Sequence, residues 1–104
     1  MTKYYNKLVR DKIPEIIKAS GKVPVIYYAD NEEYYKFLQV KLTEELSEFM
    51  ASNEVEELAD LCEVINSILV YKGITHDIFK QIMEEKREKR GAFENRIILE
   101  RVDD

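Results

Sequence analysis

Apolar residues recur every three or four positions through most of the chain, which is the spacing of amphipathic α-helices. The clearest run follows Asp30 and predicts a long helix over residues 31–51. Asp30 and Glu33 have the spacing of a capping pair, in which side chains satisfy amide groups at the helix start. The apolar positions of this helix are Phe37, Leu38, Leu42, Leu46 and Phe49.

A second apolar run predicts a helix over residues 54–72, which Gly73 would end. Ser52 and Asn53 interrupt the pattern before it and are expected to cap its start. An apolar arc of unusual width favours burial on two sides, and a homodimer or a dimer of dimers would supply the second surface. The arc contains Val55, Leu58, Leu61, Cys62, Val64, Ile65, Ile68 and Leu69.

Two shorter helices are predicted outside this central pair. Pro14 suits the first turn of a helix because it has no amide hydrogen, and Gly21 suits its end, so residues 14–20 are expected to be helical. Thr75 can cap a further helix over residues 76–90.

Extended structure is expected at two places, residues 23–28 and 96–102, where β-branched and aromatic residues cluster. Pro24 cannot donate a ladder hydrogen bond, so the first segment is predicted to be an edge strand that pairs with the second. The predicted fold is mainly α, an antiparallel helix bundle with a short N-terminal helix and a small pairing of terminal strands.

The composition is typical of one folded domain over residues 1–104, because 45% of the chain is hydrophobic and 36% is charged. The net charge of -5 disfavours binding to a nucleic-acid polymer, which depends on many Lys and Arg side chains. No apolar stretch resembles a signal peptide or a membrane span, so no membrane association is expected. Cys62 has no second cysteine for a disulfide, and a reducing cytoplasm is the expected compartment.

Two pairs of carboxylates lie within the central helices. Glu45 and Glu48 are three residues apart on the first helix, and Glu57 and Asp60 on the second, so each pair shares one helix face. Advancing about 100° per residue places Glu57 inside the apolar arc, with Glu45 and Asp60 beside apolar residues. A buried carboxylate without a partner costs several kcal/mol. The pattern therefore indicates a bound cation, and oxygen donors of this kind suit Mg²⁺ or Mn²⁺.

Each of these carboxylates, taken singly, is more often an ordinary solvated residue on a helix surface. The four together favour a metal site. Glu44 differs from them because it points away from the apolar stripe, so it is either solvated or a neighbour of the metal ligands.

The patterns E-x-x-E and E-x-x-D resemble the all-α nucleotide pyrophosphohydrolase superfamily that includes MazG, the dimeric dUTPases and phosphoribosyl-ATP pyrophosphohydrolase. The segments Tyr5–Pro14 and Lys89–Phe93 resemble a small subgroup described as phosphoribosyl-ATP pyrophosphohydrolase-like. Only residues 49–56 separate the two acidic pairs, a shorter connection than in many MazG relatives, so the resemblance leaves the substrate's base open.

The resemblance implies magnesium-dependent hydrolysis of a nucleoside triphosphate between its α and β phosphates, in nucleotide-pool sanitation. The metal ligands that it implies are Glu45, Glu48, Glu57 and Asp60. Either an unligated oxygen of such a carboxylate, as in Glu45, or the carboxylate of Glu44 would accept the proton of the attacking water.

Basic residues near the end of the last predicted helix are candidate phosphate ligands. Lys86, Lys89 and Arg90 share one face, where they either clamp phosphates or stabilise the helix C-terminus. Phe93 can stack on a base, although packing in the core is the commoner role of Phe.

A second basic group, Lys7, Arg10 and Lys12, precedes the first helix and can fold over the same site, as mobile segments do in many enzymes. Two other functions stay open at this stage. One is hydrolysis of phosphoribosyl-ATP itself, and the other is a non-catalytic helical module whose wide apolar arc binds a partner protein.

Overall fold

The fold is all-helical, and the computed structural model describes residues 1–104. Four helices follow one another without any strand: α1 (Ile13–Ala19), α2 (Asn31–Ser52), α3 (Val55–Tyr71) and α4 (His76–Arg90). All four agree with the predicted helices to within one residue at each end. None of them combines the length and the hydropathy needed to cross a lipid bilayer.

The chain divides into two compact units. The first, Met1–Lys72, contains α1, α2 and α3, and the second, Gly73–Asp104, contains α4 and the C-terminal segment. Within the first unit α2 and α3 pack against each other as an antiparallel hairpin. The candidate functional residues of α2 and α3 therefore lie in one compact unit.

Local hydrogen bonds account for where the helices begin and end. The Asp30 carboxylate accepts a hydrogen bond from the Glu33 amide at 2.8 Å, and the Thr75 hydroxyl accepts one from the Ile78 amide at 3.2 Å. At the end of α1, Gly21 adopts a φ of 85°, a conformation in which a side chain would be strained. The predicted caps at Asp30 and Thr75 and the predicted stop at Gly21 are confirmed.

The predicted cap of α3 is wrong. Neither Ser52 nor Asn53 caps this helix, because α2 continues through Ser52 and Glu54 occupies the N-cap position without a side-chain hydrogen bond. Asn53 instead ends α2 in a left-handed conformation with a φ of 58°, and its amide donates to the Phe49 carbonyl. Asn tolerates this conformation better than most residues do, so it turns the chain within two residues.

The predicted pairing of terminal strands is also wrong, because residues 23–28 and 96–102 form no ladder. Pro24 removes one donor, and an isolated pair of strands is only marginally stable without an apolar face to bury. The apolar side chains of both segments are largely exposed, so they supply no such face. Tyr27 donates a hydrogen bond to the Glu33 carboxylate at 3.2 Å, which ties the first segment to the start of α2.

The core of the hairpin is small. Leu38 on α2 and Val64 on α3 expose only 2% and 7% of their surface. At the end of the hairpin away from its turn, the ring of Tyr71 stacks on Tyr34 at 6.1 Å and meets Tyr35 edge-on at 4.9 Å. These contacts hold α2 and α3 in register. They therefore set which residues of the two helices lie opposite each other nearer the turn.

Candidate functional site

The turn between α2 and α3 brings acidic residues from both helices together. Since Asn53 and Glu54 alone separate the helices, residues near the end of α2 lie opposite residues near the start of α3. Glu45, Glu57 and Asp60 each present one carboxylate oxygen, and these three oxygens lie within 4.8 Å of one another. We refer to these three residues as the carboxylate cluster.

The cluster is partly withdrawn from water. Glu45 exposes only 6% of its surface, and Glu57 and Asp60 are half-buried. The Oε2 oxygens of Glu45 and Glu57 are buried and have no hydrogen-bond partner. A buried acceptor left in this state costs about 1–3 kcal/mol, and more when it is charged. With one such atom on each of two members, the cluster is electrostatically unsatisfied.

The environment of Glu45 favours its protonated form. Burial raises the pKa of the Glu45 carboxyl above its usual 4.5, and the charge of Glu48 and a hydrogen bond with it raise the pKa further. Lys41 acts in the opposite direction, because its ammonium lies 3.4 Å from Glu45 Oε1. One lysine on the same helix does not offset burial and the neighbouring carboxylate.

Three basic residues reach the acidic residues. Besides Glu45, Lys41 contacts Glu44 at 3.4 Å. Lys7 Nζ lies 3.4 Å from the other oxygen of Glu44. Arg10 Nη2 lies 2.7 Å from Asp60 Oδ1, fifty residues further along the chain. The segment before α1 therefore contacts both helices that carry the carboxylates.

The remaining predicted residues of the first unit lie at the margin of the cluster. Glu48 is exposed and offers no oxygen to the group of three, although it is close enough to affect Glu45. Glu44 is half-buried and held by two lysines. Lys12 is exposed at the N-cap of α1 and makes no ion pair.

The other predicted substrate ligands belong to the second unit. Lys86, Lys89 and Arg90 are exposed on the last turns of α4. Phe93 exposes 95% of its surface, so the expectation that it packs in the core is wrong for this chain. Phe93 lines a shallow depression formed by residues 90–98, all within this unit.

The donor set of the cluster fits a hard divalent cation. In an octahedral Mg²⁺ site neighbouring ligand oxygens lie roughly 3.0 Å apart and opposite ones roughly 4.2 Å apart. The three cluster oxygens, within 4.8 Å of one another, would draw closer by side-chain rotation to reach that geometry. Three protein ligands would leave positions on such a cation for water or phosphate.

Part of the chain is similar to a known protein. Over 47 residues the chain is 49% identical to an uncharacterized protein of Mycolicibacterium smegmatis, a stretch that covers 45% of this chain and 48% of that protein. The match thus spans about half of the relative's length. No protein-family model matches the chain. No solved structure matches it either.

One contact of the site was not predicted from the sequence: the pairing of Arg10 with Asp60. The charge of Arg10 was visible, but nothing local assigns it a partner fifty residues away. The available signal was that the helix carrying Glu57 and Asp60 contains no basic residue, since a partly buried acidic pair is stabilised by a positive charge from outside its own helix.

Proposed function

We propose that the protein is a magnesium-dependent nucleotide pyrophosphohydrolase that cleaves the α–β phosphoanhydride of a nucleoside triphosphate to a monophosphate and pyrophosphate. The observation that carries the proposal is the carboxylate cluster with its two buried, unpaired oxygens. The spacing of the acidic pairs, which resembles the all-α pyrophosphohydrolases, supports the choice of reaction.

The residues have distinct roles in this proposal. Glu45, Glu57 and Asp60 would hold Mg²⁺ or Mn²⁺, with Glu48, which neighbours Glu45, as a fourth ligand. A bound divalent ion supplies charge neutralisation for the phosphates and lowers the pKa of a coordinated water.

Proton transfer falls to Glu45 or Glu44. The raised pKa of Glu45 makes its carboxylate a stronger proton acceptor than an ordinary glutamate, which suits it to take a proton from the attacking water. Glu44, held between Lys7 and Lys41, is the alternative acceptor. The ammonium groups of these two lysines also lie close enough to the acidic residues to meet an incoming triphosphate, as would the guanidinium of Arg10.

The experiment combines two measurements on the same protein. The midpoint of thermal unfolding is recorded with and without millimolar Mg²⁺, and pyrophosphate release is assayed from ribo- and deoxyribonucleoside triphosphates and from phosphoribosyl-ATP. A ligand of the folded state raises the midpoint, so stabilisation reports binding and release reports catalysis. The substrate panel separates nucleotide-pool sanitation from hydrolysis of phosphoribosyl-ATP.

A matched pair of variants links both readouts to the cluster. Glu57→Gln removes one ligand, and Glu56→Gln removes the neighbouring exposed carboxylate in the same helix turn. Loss of a residue that only orients a metal-coordinating side chain lowers metal affinity or activity by about 10- to 100-fold. Loss of the coordinating carboxylate itself, in Glu57→Gln, should therefore lower activity by at least about 100-fold. Glu56→Gln should retain it. If wild-type protein shows neither stabilisation nor pyrophosphate release, the non-catalytic interaction module replaces this proposal.

We further propose that two copies of the chain associate through α3. The residues of this helix that face α2 include Val64 and Tyr71, whereas Val55, Leu58 and Cys62 follow the same three-and-four spacing on another face and are exposed. We call this second set, with Ile65 and Leu69, the outer stripe of α3. An apolar stripe at this spacing is the geometry of helix pairing, and a two-fold axis along it would cover it with its own copy.

A further inference from the structure

The segment before α1, residues 1–12, forms a strap across the acidic residues of the hairpin. Its two ion pairs with the hairpin are Lys7 with Glu44 at 3.4 Å and Arg10 with Asp60 at 2.7 Å. The second contact involves a member of the carboxylate cluster. Arg10 therefore supplies a positive charge where the proposed cation would bind.

The charge that Arg10 supplies is incomplete. Its guanidinium contacts one oxygen of Asp60, while the Oε2 atoms of Glu45 and Glu57 have no partner. The guanidinium neutralises the rim of the cluster and does not satisfy its buried part. A small divalent ion at the centre would reach all three carboxylates, so it would compete with Arg10 for Asp60.

The pair is also easy to open. The side chains of Arg10 and Asp60 are 56% and 39% exposed, so water and salt screen their attraction. An exposed ion pair of this kind favours its formed state over its broken state by about 1.4- to 5-fold. Removing Arg10 from Asp60 therefore costs a divalent ion little of its affinity.

We propose that Arg10 is a displaceable counter-ion of the carboxylate cluster, which a divalent cation releases from Asp60 so that its guanidinium binds the phosphate that the cation brings. This inference rests on the proposed function. Arginine suits the second role because its planar guanidinium pairs with two phosphate oxygens at once, whereas lysine offers a single charged point. The strap thus closes on phosphate only when the metal is present.

The first test is calorimetric titration of the full chain with Mn²⁺, and then with inorganic pyrophosphate in the presence of Mn²⁺. Arg10→Gln should bind Mn²⁺ alone about two- to fivefold more tightly than wild type, because the competitor is gone. The same variant should bind pyrophosphate at least about tenfold more weakly, because a charged phosphate contact is lost. Arg10→Lys should restore part of the phosphate affinity.

Arg101→Gln is the matched control. Arg101 also forms an ion pair with an aspartate two residues away, Asp103, at 3.2 Å, but it lies in the second unit. The substitution changes the net charge by the same amount as Arg10→Gln. It should leave both affinities unchanged, which separates a local exchange at Asp60 from a general electrostatic effect.

The second test follows the strap directly by limited trypsin digestion, which cleaves after Lys7, Arg10 and Lys12. Mn²⁺ alone should accelerate cleavage at these sites in wild-type protein, because it frees Arg10. Asp60→Asn should make the same sites sensitive without any metal. Cleavage in the second unit provides the internal reference.

The outcomes separate this inference from the proposed function. If wild type binds Mn²⁺ and Arg10→Gln binds it equally or more weakly, Arg10 does not compete with the metal and the inference is overturned. If pyrophosphate affinity is unaffected in Arg10→Gln, the second role of Arg10 is refuted. If wild-type protein binds no Mn²⁺ at all, the metal site and this inference fail together.

Discussion

Glu45 carries its carboxylate on the face of α2 that packs against α3. Residues at such positions are normally apolar, and the exposed fraction of Glu45, 6%, is close to that of the core residue Val64. Lys41 contacts one oxygen, and the other has no partner. The folded protein without metal is therefore less stable than its packing alone would make it, which is common where a site is prepared for a ligand.

The destabilisation caused by burying the Glu45 carboxylate should appear in the pH dependence of the free energy of unfolding. The pKa of Glu45 is raised above its usual 4.5 by burial, so the folded state binds a proton at higher pH than the unfolded state does. The free energy of unfolding should therefore fall as pH rises from about 4.5 through the folded-state pKa. Glu45→Gln should remove this slope and unfold at higher denaturant concentration at pH 7, measured in urea with EDTA present.

The control for this measurement is Glu63→Gln, which removes an exposed carboxylate of α3. It should leave the pH slope of the wild-type protein in place. A Glu45→Gln protein with unchanged slope would mean that burial of this carboxylate does not affect stability. Added Mg²⁺ should stabilise wild type more than Glu45→Gln, because the variant lacks one ligand.

Helix boundaries in this protein are set by short-range interactions. The Asp30 and Thr75 side chains each bond to an amide three residues away, so a sequence window of four residues contains the whole signal. The boundary between α2 and α3 is harder to predict from the sequence. Asn53 is favourable both as the N-cap of a helix and as a left-handed residue that ends one. Its role depends on how far α2 continues, which packing decides.

The strength of one such cap can be measured. Thr75→Ala should lower the helix content of α4 and cost about 0.5–2 kcal/mol, because the Ile78 amide loses its partner. Thr43→Ala is the control, since Thr43 lies inside α2 and bonds only to the Gln39 carbonyl of the preceding turn. Alanine favours a helix interior, so this variant should be neutral or slightly more stable. Circular dichroism and thermal unfolding report both effects.

Longer-range features of the fold and site could be predicted only in part. The juxtaposition of Glu45 with Glu57 and Asp60 followed from a short hairpin and helical periodicity, both readable in the sequence. The strand prediction failed because β-propensity reports a half-buried surface, and residues 23–28 find none in this chain. The contact of Arg10 with Asp60 depends on the path of the whole segment between them, which no local pattern specifies.

The whole molecule exposes more apolar surface than its small core would lead one to expect. Of the hydrophobic residues, only Leu38 and Val64 are buried. The outer stripe of α3 joins the exposed Val55, Leu58 and Cys62 to the half-buried Ile65 and Leu69, and contiguous apolar patches on a folded surface usually mark an interface. Association of two chains would add buried apolar area to a protein that has little of its own.

Leu58→Lys places a charge on the outer stripe and should shift the chain from dimer to monomer in sedimentation velocity. Val70→Lys is the matched control. Val70 is an exposed residue of the same helix that lies neither on the outer stripe nor on the face that packs against α2. It should leave the sedimentation coefficient unchanged. A wild-type protein that sediments as a monomer at all concentrations would refute the proposed dimer.

The contacts within the carboxylate cluster and the contact of Arg10 with Asp60 close loops of different length. Glu45 and Glu57 are twelve residues apart along a hairpin, whereas Arg10 and Asp60 are separated by fifty. Loop-closure entropy grows with the logarithm of length, so the longer loop costs about 1 kcal/mol more to form. The carboxylates therefore assemble early in folding, before Arg10 offsets their repulsion, and the Arg10 contact forms later. By the same reasoning it is the first contact to break, so native-state hydrogen exchange should find the N-terminal segment opening while the hairpin remains protected.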